Sequence, residues 1–513
     1  MSGKVSQWHS ANLFDLMEAR APHPEKLALE TADATALTYG ELFARSARAA
    51  GALATLGVRP GDRVAAQIEK STDVIVVALA CLRAGAVLLP LNTAYTLAEL
   101  EYFLGDAEPA LTLCRPEWSE PVRALALKLG LRRVESLGVK RDGTFAEAIA
   151  AAPAAFETVK RASGDLAAIL YTSGTTGRSK GAMVTHENLT SNALTLIDCW
   201  RFTSTDRLIH ALPVFHTHGL FVAVNVALIS GATMIFMNRF DPDAVIAAMP
   251  EATSMMGVPT FYIRLLDHPG LDRGTCANMR LFVSGSAPLL AETHHAWRER
   301  TGFSILERYG MTETNMITSN PYDGERRPGT VGFALPGVNV RIANPDDGAP
   351  VQAGEVGVIE VKGPNVFAGY WRMPEKTAQE FRADGYFITG DLARIDRDGY
   401  IHIVGRAKDL VISGGFNVYP KEVESEIDAI EGVLESAVFG VAHADFGEGV
   451  TAAVVPRPGA ALTEQAILTA LGGRLAKFKA PKRVIIVESL PRNAMGKVQK
   501  AALREAYKDI YRA

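Results

Sequence analysis

Residues 165–181 read DLAAILYTSGTTGRSKG, a short apolar run that passes directly into glycines, hydroxyl residues and a basic pair around a serine. The apolar part predicts a strand, and a glycine-rich turn after a strand exposes backbone N–H groups to an approaching anion. The hydroxyl side chains add donors, and Lys180 adds a positive charge. The stretch does not fit G-x-x-x-x-G-K-[ST], so it predicts a phosphate-binding loop that is not a Walker loop.

The segments on both sides of this loop alternate between strand-like and helix-like patterns. VAAQI, AVLLPL, LTLC, RLIHALP, TMIFM and RLFVSG are short and rich in β-branched or other apolar residues, whereas TYGELFARSARAAGALATLG has helical spacing and ends at Gly57. Strands that alternate with helices are typical of layered α/β structure with largely parallel sheets. This part of the chain is therefore predicted to form a large N-terminal domain of layered α/β subdomains.

The pattern changes from about Thr330. VNVRIANP, GEVGVIEVKG and YIHIVG read as short strands separated by turn residues, which predicts a β-rich subdomain. After Gly405, VESEIDAI, ESAVFGVA, GVTAAVVP and RVIIVES predict a small α/β domain at the C-terminus. The predicted fold class is α/β, with the β-rich subdomain joined to the large domain and the small α/β domain following it.

Composition excludes several classes of protein. The 513 residues are too many for one ordinary core, and 48% hydrophobic with 21% charged residues is typical of soluble proteins. A net charge of −4 argues against a general nucleic-acid or anionic-membrane surface. The four cysteines are far apart, which predicts neither a zinc site nor a disulfide framework and favours a reducing, cytoplasmic compartment. The N-terminal segment has no apolar signal sequence, and VIVVALACLRAGAVLLPL reads as helix, turn and strand rather than a membrane span.

Five motifs follow one another along the chain: YTSGTTGRSKG at 171–181, ERYGMTET at 307–314, TGD at 389–391, VGRAKDLVISGG at 404–415 and PRNAMGK at 491–497. Together they resemble the acyl-adenylate-forming superfamily, which includes acyl-CoA synthetases, luciferases and the adenylation domains of peptide synthetases. The resemblance implies a reaction in two steps. ATP and a carboxylate form an acyl-adenylate and pyrophosphate, and a thiol, usually coenzyme A, then displaces AMP.

The same resemblance implies which residues bind the nucleotide. Lys497 is expected to contact the carboxylate and the α-phosphate, Thr312 to lie near the α-phosphate, and Tyr309 to stack on adenine. Asp391, with Arg406, is expected to bind the ribose hydroxyls. The full set at ATP or AMP is Thr172, Ser173, Gly174, Thr175, Thr176, Gly177, Lys180, Ser284, Gly285, Ser286, Ala287, Glu307, Arg308, Tyr309, Gly310, Met311, Thr312, Asp391, Arg406 and Lys497.

The resemblance also implies a magnesium ion, a coenzyme A tunnel and a moving domain. Glu313 and Thr176 are the expected ligands of Mg²⁺, for which oxygen ligands are suited. Gly414 and Gly415 are expected to line the tunnel. Residues 1–407 would bind the acid and ATP, and residues 408–513 would form a mobile domain that turns at Lys408. Since Lys497 acts through its charge, a lysine acetyltransferase and deacetylase are further candidate partners.

Flanking segments narrow the resemblance. PLNTAYTLAEL, MGVPTFYIRLL, PNVFAGYWRMPEKT and GFNVYPKEVESEID are similar to malonyl-CoA synthetases, which implies malonate or methylmalonate as the acid. In that subfamily an arginine at the position of Arg264 receives the distal carboxylate. Arg280 is the backup for this role, and His216 and Ser286 are expected to contact the acid as well. His216 and His218 form H-x-H, but with no third ligand nearby they do not predict zinc.

Alternatives remain open from the sequence. A ligase for another short-chain or aromatic carboxylate would carry the same motifs. A module that loads a carrier protein would be expected to precede a serine-bearing carrier domain, and no such segment follows Lys497. A catalytically dead AMP-binding protein is disfavoured because Lys497, Thr312, Glu313 and Asp391 are all present.

Overall fold

The computed structural model describes residues 11–31, 35–172, 179–345, 347–413, 416–443, 445–472, 474–475, 477–493 and 496–512. Its helices are α1 (Leu13–Arg20), α2 (Tyr39–Thr55), α3 (Thr72–Ala84), α4 (Leu97–Ala107), α5 (Ser119–Lys128), α6 (Thr144–Ala151), α7 (His186–Trp200), α8 (Asn225–Ser230), α9 (Pro242–Ala248), α10 (Pro259–Leu266), α11 (Ala291–Thr301), α12 (Pro374–Gln379), α13 (Pro420–Asp428), α14 (Glu464–Leu471) and α15 (Lys500–Ala506). A π-helix spans His218–Val224, and 3₁₀ turns span Pro116–Trp118, Met249–Glu251 and Ala407–Asp409.

The strands follow the same chain order. They are β1 (Leu27–Thr31), β2 (Ala36–Thr38), β3 (Arg63–Gln67), β4 (Val87–Pro90), β5 (Leu111–Cys114), β6 (Val134–Ser136), β7 (Leu166–Thr172), β8 (Lys180–Thr185), β9 (Arg207–His210), β10 (Thr233–Phe236), β11 (Ser254–Gly257), β12 (Leu281–Ser284), β13 (Leu306–Met311), β14 (Asn315–Ser319), β15 (Phe333–Ala334), β16 (Asn339–Ala343), β17 (Gly357–Lys362), β18 (Phe387–Ile395), β19 (Ile401–Arg406), β20 (Val411–Ser413), β21 (Phe416–Val418), β22 (Val433–His443), β23 (Gly447–Pro456) and β24 (Arg483–Ile486).

Two mixed sheets build the N-terminal part. One has the order β6-β5-β3-β4-β7-β8, parallel except for β8, which pairs antiparallel with β7. The other has the order β15-β14-β13-β12-β11-β9-β10-β1-β2, with a parallel centre and antiparallel strands at both edges. Because parallel strands end at the same edge of a sheet, the carboxyl ends of β11, β12 and β13 lie side by side.

The third and fourth sheets belong to the later part of the chain. Strands β16-β17-β18-β19 form an antiparallel sheet, as predicted for the β-rich subdomain. Strands β21-β20-β23-β22, with β24 parallel to β23, form the sheet of the small C-terminal unit. The 3₁₀ turn Ala407–Asp409 joins the two sheets, and the predicted domain boundary at 407/408 lies within this turn.

Local sequence explains several elements. Thr38 caps α2 in a reciprocal pair with Glu41: the Glu41 N–H donates to the Thr38 hydroxyl, and the Thr38 N–H donates to the Glu41 carboxylate. The apolar run at 74–91 forms α3, a left-handed turn at Gly85 and β4, as predicted. Its side chains are buried between α2 and the six-stranded sheet, so the run belongs to the core.

The α/β fold class is confirmed. Within the described ranges, no helix is both long enough and apolar enough to cross a membrane.

Candidate active site

A cavity of about 1410 Å³ lies where the strand ends of both large sheets face the C-terminal unit. Many of the predicted site residues line it together, although they come from distant parts of the sequence. They are Thr172, Lys180, His216, Ser286, Arg308, Gly310, Met311, Thr312, Glu313, Arg406, Lys408 and Lys497.

Other predicted residues do not line the cavity. Ser284, Gly285, Ala287, Glu307, Tyr309 and Asp391 flank residues that do. The Glu307 carboxylate accepts the Gly329 N–H at 3.3 Å, and burial raises its pKa to about 8. The predicted residues Ser173, Gly174, Thr175, Thr176, Gly177, Gly414 and Gly415 lie outside the described residues.

The phosphate-loop strands hold two polar groups at one end of the cavity. Thr172 ends β7 and pairs across the hairpin with Lys180, which begins β8. The Lys180 ammonium forms an ion pair with Glu380 at 2.9 Å and lies 4.0 Å from the centre of the Tyr370 ring. The Thr172 hydroxyl is 3.3 Å from a carboxylate oxygen of Glu313. The strand–loop–strand geometry therefore gathers a cation, a hydroxyl and a carboxylate.

Glu313 is a buried carboxylate, 5% exposed, in the turn between β13 and β14. The Tyr370 hydroxyl lies 3.0 Å from Glu313 and 3.0 Å from Glu380, and burial raises the pKa of Glu313. Among the described residues no group of three His, Cys, Asp or Glu side chains is placed to hold a metal. A single carboxylate fits Mg²⁺ that is otherwise held by phosphate and water oxygens, so Glu313 fits this ion.

A second polar cluster lies where β18 and β19 pair. Asp391 and Arg406 are cross-strand partners, and the Arg406 Nε donates to Asp391 at 2.8 Å. The Tyr309 hydroxyl donates to the other carboxylate oxygen at 2.5 Å. Asp391 is only 4% exposed, and its charge raises the pKa of Arg406. The cluster fixes a carboxylate beside the cavity, as a diol-binding site requires.

Lys497 reaches the same cavity from the C-terminal unit. Its loop is closed by hydrogen bonds with Asn493: the Lys497 N–H donates to the Asn493 side chain, and the Asn493 N–H donates to the Lys497 carbonyl, both at 3.0 Å. Burial, followed by the nearby charge of Arg406, lowers the pKa of Lys497 to about 8. A desolvated ammonium that is short of counter-charge is suited to meet an anion.

Two histidines at the start of the π-helix also line the cavity. His218 is 1% exposed and donates its backbone N–H to His216 Nδ1 at 3.3 Å. Burial, with Arg308 and Lys497 nearby, lowers the pKa of His216 to about 4, and burial lowers that of His218 well below its usual value. Both imidazoles are therefore neutral at pH 7 and act as hydrogen-bonding groups.

The two arginines predicted to meet the acid do not line the cavity. Arg264 lies on the exposed side of α10 and does not line the cavity. Arg280 is held in a bidentate ion pair with Asp206 at 2.7 and 2.8 Å, and its remaining N–H groups donate to the carbonyls of Trp200 and Arg201. Both expectations are corrected: the first arginine is in solvent, and the second is already neutralised.

Several residues at the site were not predicted. Tyr370 and Glu380 connect Lys180 to Glu313, and Thr217 and Met316 line the same cavity. The sequence carried a signal for Tyr370, because it stands in the segment PNVFAGYWRMPEKT used for the resemblance. It gave no indication that this segment would pack against the phosphate loop.

Comparison with known proteins agrees with this geometry. The AMP-binding enzyme family matches residues 16–371, and the AMP-binding enzyme C-terminal domain matches residues 422–497.

The chain belongs to the AMP-binding enzymes.

Among relatives of this AMP-binding enzyme, a feruloyl-CoA synthase of an Amycolatopsis species is 38% identical over 477 residues, covering 92% of this chain and 94% of the relative. A malonate–CoA ligase of Arabidopsis thaliana is 34% identical over 511 residues, covering 92% and 83%. ATP-bound MatB from Rhodopseudomonas palustris is 61% identical and superposes with a TM-score of 0.96 over 98% of this chain and 100% of MatB.

The apo form of the same MatB, also 61% identical, superposes with a TM-score of 0.85. Since the two MatB structures match this chain at the same identity and coverage, the difference reflects the arrangement of the chain rather than its sequence. This AMP-binding enzyme is therefore arranged more like the ATP-bound form, with Lys497 directed into the cavity.

Proposed function

We propose that this AMP-binding enzyme ligates malonate to coenzyme A. In the first step a malonate carboxylate attacks the α-phosphate of ATP, which forms malonyl-adenylate and releases pyrophosphate. In the second step the coenzyme A thiol attacks the acyl carbon, which forms malonyl-CoA and releases AMP. Methylmalonate differs from malonate by one methyl group, and a pocket discriminates such a group by only about 1–3 kcal/mol, so it is a second substrate of the same site.

The observation that carries the proposal is that one cavity gathers groups for each part of the reaction. Lys180, Glu313, Arg406, His216 and Lys497 all line it. Lys180 and Glu313 would serve the phosphates, Arg406 the ribose, and His216 the acid. Positioning and cationic stabilisation are the main contributions that a protein makes to attack on a phosphate. The malonate–CoA ligases among the relatives support malonate as the acid.

The roles of single residues follow from their places. Lys497 would meet the attacking carboxylate and the α-phosphate, with Thr312 beside it. Asp391 would accept the ribose hydroxyls, and Tyr309, which also bonds Asp391, would pack against the base. Glu313 would hold a magnesium ion, which supplies charge neutralisation at the phosphates when bound.

The second step would use the other arrangement of the two domains. Lys408 lies in the 3₁₀ turn between the third and fourth sheets, which is where a pivot must be to rotate residues 408–513 as a unit. Rotation would withdraw Lys497 and bring the segment that contains Gly414 and Gly415 toward the acyl end. Coenzyme A would then enter beside these glycines.

Acetylation of Lys497 would stop the first step, because it removes the ammonium charge. The lysine is half-buried in a loop of the C-terminal unit, so an acetyltransferase would have to act on the rotated form. Protein carrying acetyl-lysine only at position 497 should give no malonate-dependent pyrophosphate release. Normal pyrophosphate release by that protein would rule out regulation of the enzyme by acetylation of Lys497.

We propose that the protein is located in a reducing compartment, the cytoplasm. It is supported by the four free thiols of Cys81, Cys114, Cys199 and Cys276.

The reaction is tested by pyrophosphate release from ATP with a panel of acids, with and without coenzyme A. Malonate should cause pyrophosphate release in both conditions, and malonyl-CoA should form only when coenzyme A is present. The second candidate function is ligation of an aromatic acid to coenzyme A, which the 38% identical feruloyl-CoA synthase favours. Release with ferulate but not with malonate would replace our proposal by this one.

A further inference from the structure

A second cavity lies beside the one that holds the candidate active site. Its volume is about 290 Å³, and Pro90, Leu91 and Phe215 line both cavities. The same side chains therefore form the wall between the two cavities. The lining of the second cavity also includes Lys70, which the proposed reaction does not use.

Lys70 is held by a histidine from the other large sheet. Lys70 follows β3 of the six-stranded sheet, and His210 ends β9 of the nine-stranded sheet. The Lys70 Nζ lies 3.2 Å from His210 Nδ1 and 3.0 Å from the His210 carbonyl. His210 Nε2 lies 2.8 Å from the Gly219 carbonyl, which can only accept, so the ring proton is on Nε2 and Nδ1 accepts from Lys70.

No carboxylate neutralises Lys70 in the ranges that the structure describes. Glu69 also lines the second cavity, but its carboxylate is paired with Arg115 at 3.0 Å. The Lys70 ammonium instead lies 4.5 Å from the centre of the Phe236 ring. Burial lowers the pKa of Lys70 well below its usual value, which increases the share of the neutral, nucleophilic amine.

The arrangement of Lys70, His210 and Gly219 is typical of an activated nucleophile. Such a site places the nucleophile within hydrogen-bond reach of a second group, which a third group orients. Here the amine contacts the imidazole, and the Gly219 carbonyl fixes the ring. A neutral amine donates its two N–H groups to His210 Nδ1 and to the His210 carbonyl, which leaves its lone pair for attack.

We propose that Lys70 is a site of self-acylation, to which an acyl group activated as the adenylate in the adjoining cavity is transferred when no thiol accepts it. This inference rests on the proposed function, which supplies malonyl-adenylate. The Lys70 nitrogen forms a bond to the acyl carbon, and the bond from that carbon to the phosphate oxygen breaks. AMP leaves with the electron pair, and the proton lost by the nitrogen goes to water. The product is an amide of lysine.

The second cavity also has a place for the free carboxylate of a malonyl amide. Arg239 lines the same cavity and is exposed, and it forms no ion pair with any residue that the structure describes. A malonyl group on Lys70 would replace a cation by an anion on this wall, and Arg239 would pair with it.

The test locates malonylated lysines after the wild-type enzyme is incubated with ATP, Mg²⁺ and malonate in the absence of coenzyme A. Proteolysis and mass spectrometry give the rate at each lysine, with the exposed Lys140 as the internal control. Each unit by which a pKa is lowered raises the neutral fraction about tenfold, so Lys70 should react at least about tenfold faster than Lys140. Equal rates at the two lysines would overturn the proposal.

The matched variants are Lys70→Arg and Lys140→Arg. Lys70→Arg keeps a cation but has no nucleophilic amine, so the modification at position 70 should be lost while that of Lys140 is unchanged. In Lys140→Arg the modification of Lys70 should stay at the wild-type rate. A total number of malonyl groups that does not fall in Lys70→Arg would contradict the assignment.

Two other acyl donors identify the source of the acyl group. N-hydroxysuccinimidyl acetate is an activated ester that requires neither ATP nor malonate, and it should also modify Lys70 in preference to Lys140. Absence of this preference would show that Lys70 is not an activated nucleophile. Malonyl-CoA without ATP should modify Lys70 more slowly than ATP and malonate do, and an equal rate would exclude the adenylate as the donor.

His210→Gln tests the positioning of the amine by the imidazole. Losing the hydrogen bond to Nδ1 should lower the rate of Lys70 with N-hydroxysuccinimidyl acetate by about tenfold and leave that of Lys140 unchanged. A wild-type ratio of the two rates in a folded His210→Gln protein would overturn the role of His210.

Pyrophosphate release, measured in the same samples, separates this inference from the proposed function. If malonate causes no release, the proposed function is wrong, and the acid that does cause release replaces malonate in the same comparison. If pyrophosphate is released and Lys70 remains unmodified, self-acylation is wrong while the proposed function stands.

Discussion

Among single residues, Lys497 is the one that should separate the two half-reactions. Lys497→Ala removes positive charge where negative charge develops on the α-phosphate, so adenylation of malonate should be lost. Conversion of preformed malonyl-adenylate and coenzyme A to malonyl-CoA should be retained, because under the proposed function that step would use the other face of the C-terminal unit. Single-turnover assays of each step check this. An equal loss in both steps would contradict the division of roles.

The ionisation of Lys497 should also appear in the pH profile. Its pKa is about 8 in the structure, lowered mainly by burial, so the ammonium is present below pH 8 and is lost as the pH rises. We therefore expect kcat/KM for adenylation to fall above about pH 8, since this parameter reports groups of the free enzyme. Lys497→Arg is the control, because it stays charged and should move the fall to higher pH. If the two proteins show the same pH profile, the fall in kcat/KM belongs to the ionisation of another group.

Tyr370 shows how one hydroxyl supports the phosphate end. It lies 3.0 Å from both Glu313 and Glu380, so Tyr370→Phe removes the hydroxyl that bridges the two carboxylates, although Glu380 keeps its ion pair with Lys180. A lost hydrogen bond to a charged group is worth about 1.5–3 kcal/mol, so Mg·ATP should bind about 10–10²-fold more weakly. Isothermal titration without acid measures this. Tyr386→Phe, outside the cavity, is the matched control, and equal affinities in the two variants would exclude this role for Tyr370.

The two arginines illustrate what could and could not be read from single residues. The sequence suggested Arg264 as a partner for the acid, but it could not say which face of α10 meets the cavity. Arg264 is on the outer face of this helix, whereas the side chains of Tyr262 and Leu265 are buried. Arg308 was present in ERYGMTET and was assigned to the nucleotide.

Among the elements, the strands were predictable because short apolar runs bounded by glycine or proline permit few alternatives. AVLLPL, LTLC and RLFVSG became β4, β5 and β12, and the helix before Gly57 became α2. The order of the strands was not predictable, because β1 pairs with β10 through contacts far apart in sequence. The π-helix at His218–Val224 was also missed, since its sequence is that of an ordinary buried helix.

The turn at Lys408 is the element on which the proposed second step would depend. Proline fixes φ near −65°, which the 3₁₀ turn Ala407–Asp409 permits in the arrangement described here. We therefore expect Lys408→Pro to keep malonate adenylation and to lose thioester formation, because the backbone can no longer change. Lys408→Ala removes the side chain but keeps backbone freedom, and it should retain both steps. Unchanged turnover of Lys408→Pro with coenzyme A would show that the pivot lies elsewhere.

For the molecule as a whole, the sequence predicted the α/β class and the change to a small C-terminal unit. The motifs at 171–181, 307–314 and 491–497 are spread over most of the chain, and only folding brings their residues to one cavity. The placement of the C-terminal unit was not predictable, because under the proposed function one sequence would take two arrangements for the two steps. The match to ATP-bound MatB identifies the arrangement in this structure.

The central claim concerns the acid, and competition between acids tests it most directly. The enzyme is mixed with ATP, Mg²⁺, limiting coenzyme A and equal concentrations of malonate, butyrate and ferulate, and the acyl-CoA products are quantified by mass spectrometry. The product ratio equals the ratio of kcat/KM values. Because butyrate and ferulate lack the second carboxylate of malonate and cannot make its charge-assisted contacts, we expect malonyl-CoA to exceed the other products by at least about 10²-fold. An excess of feruloyl-CoA or butyryl-CoA would contradict the assignment of this cavity to a dicarboxylate.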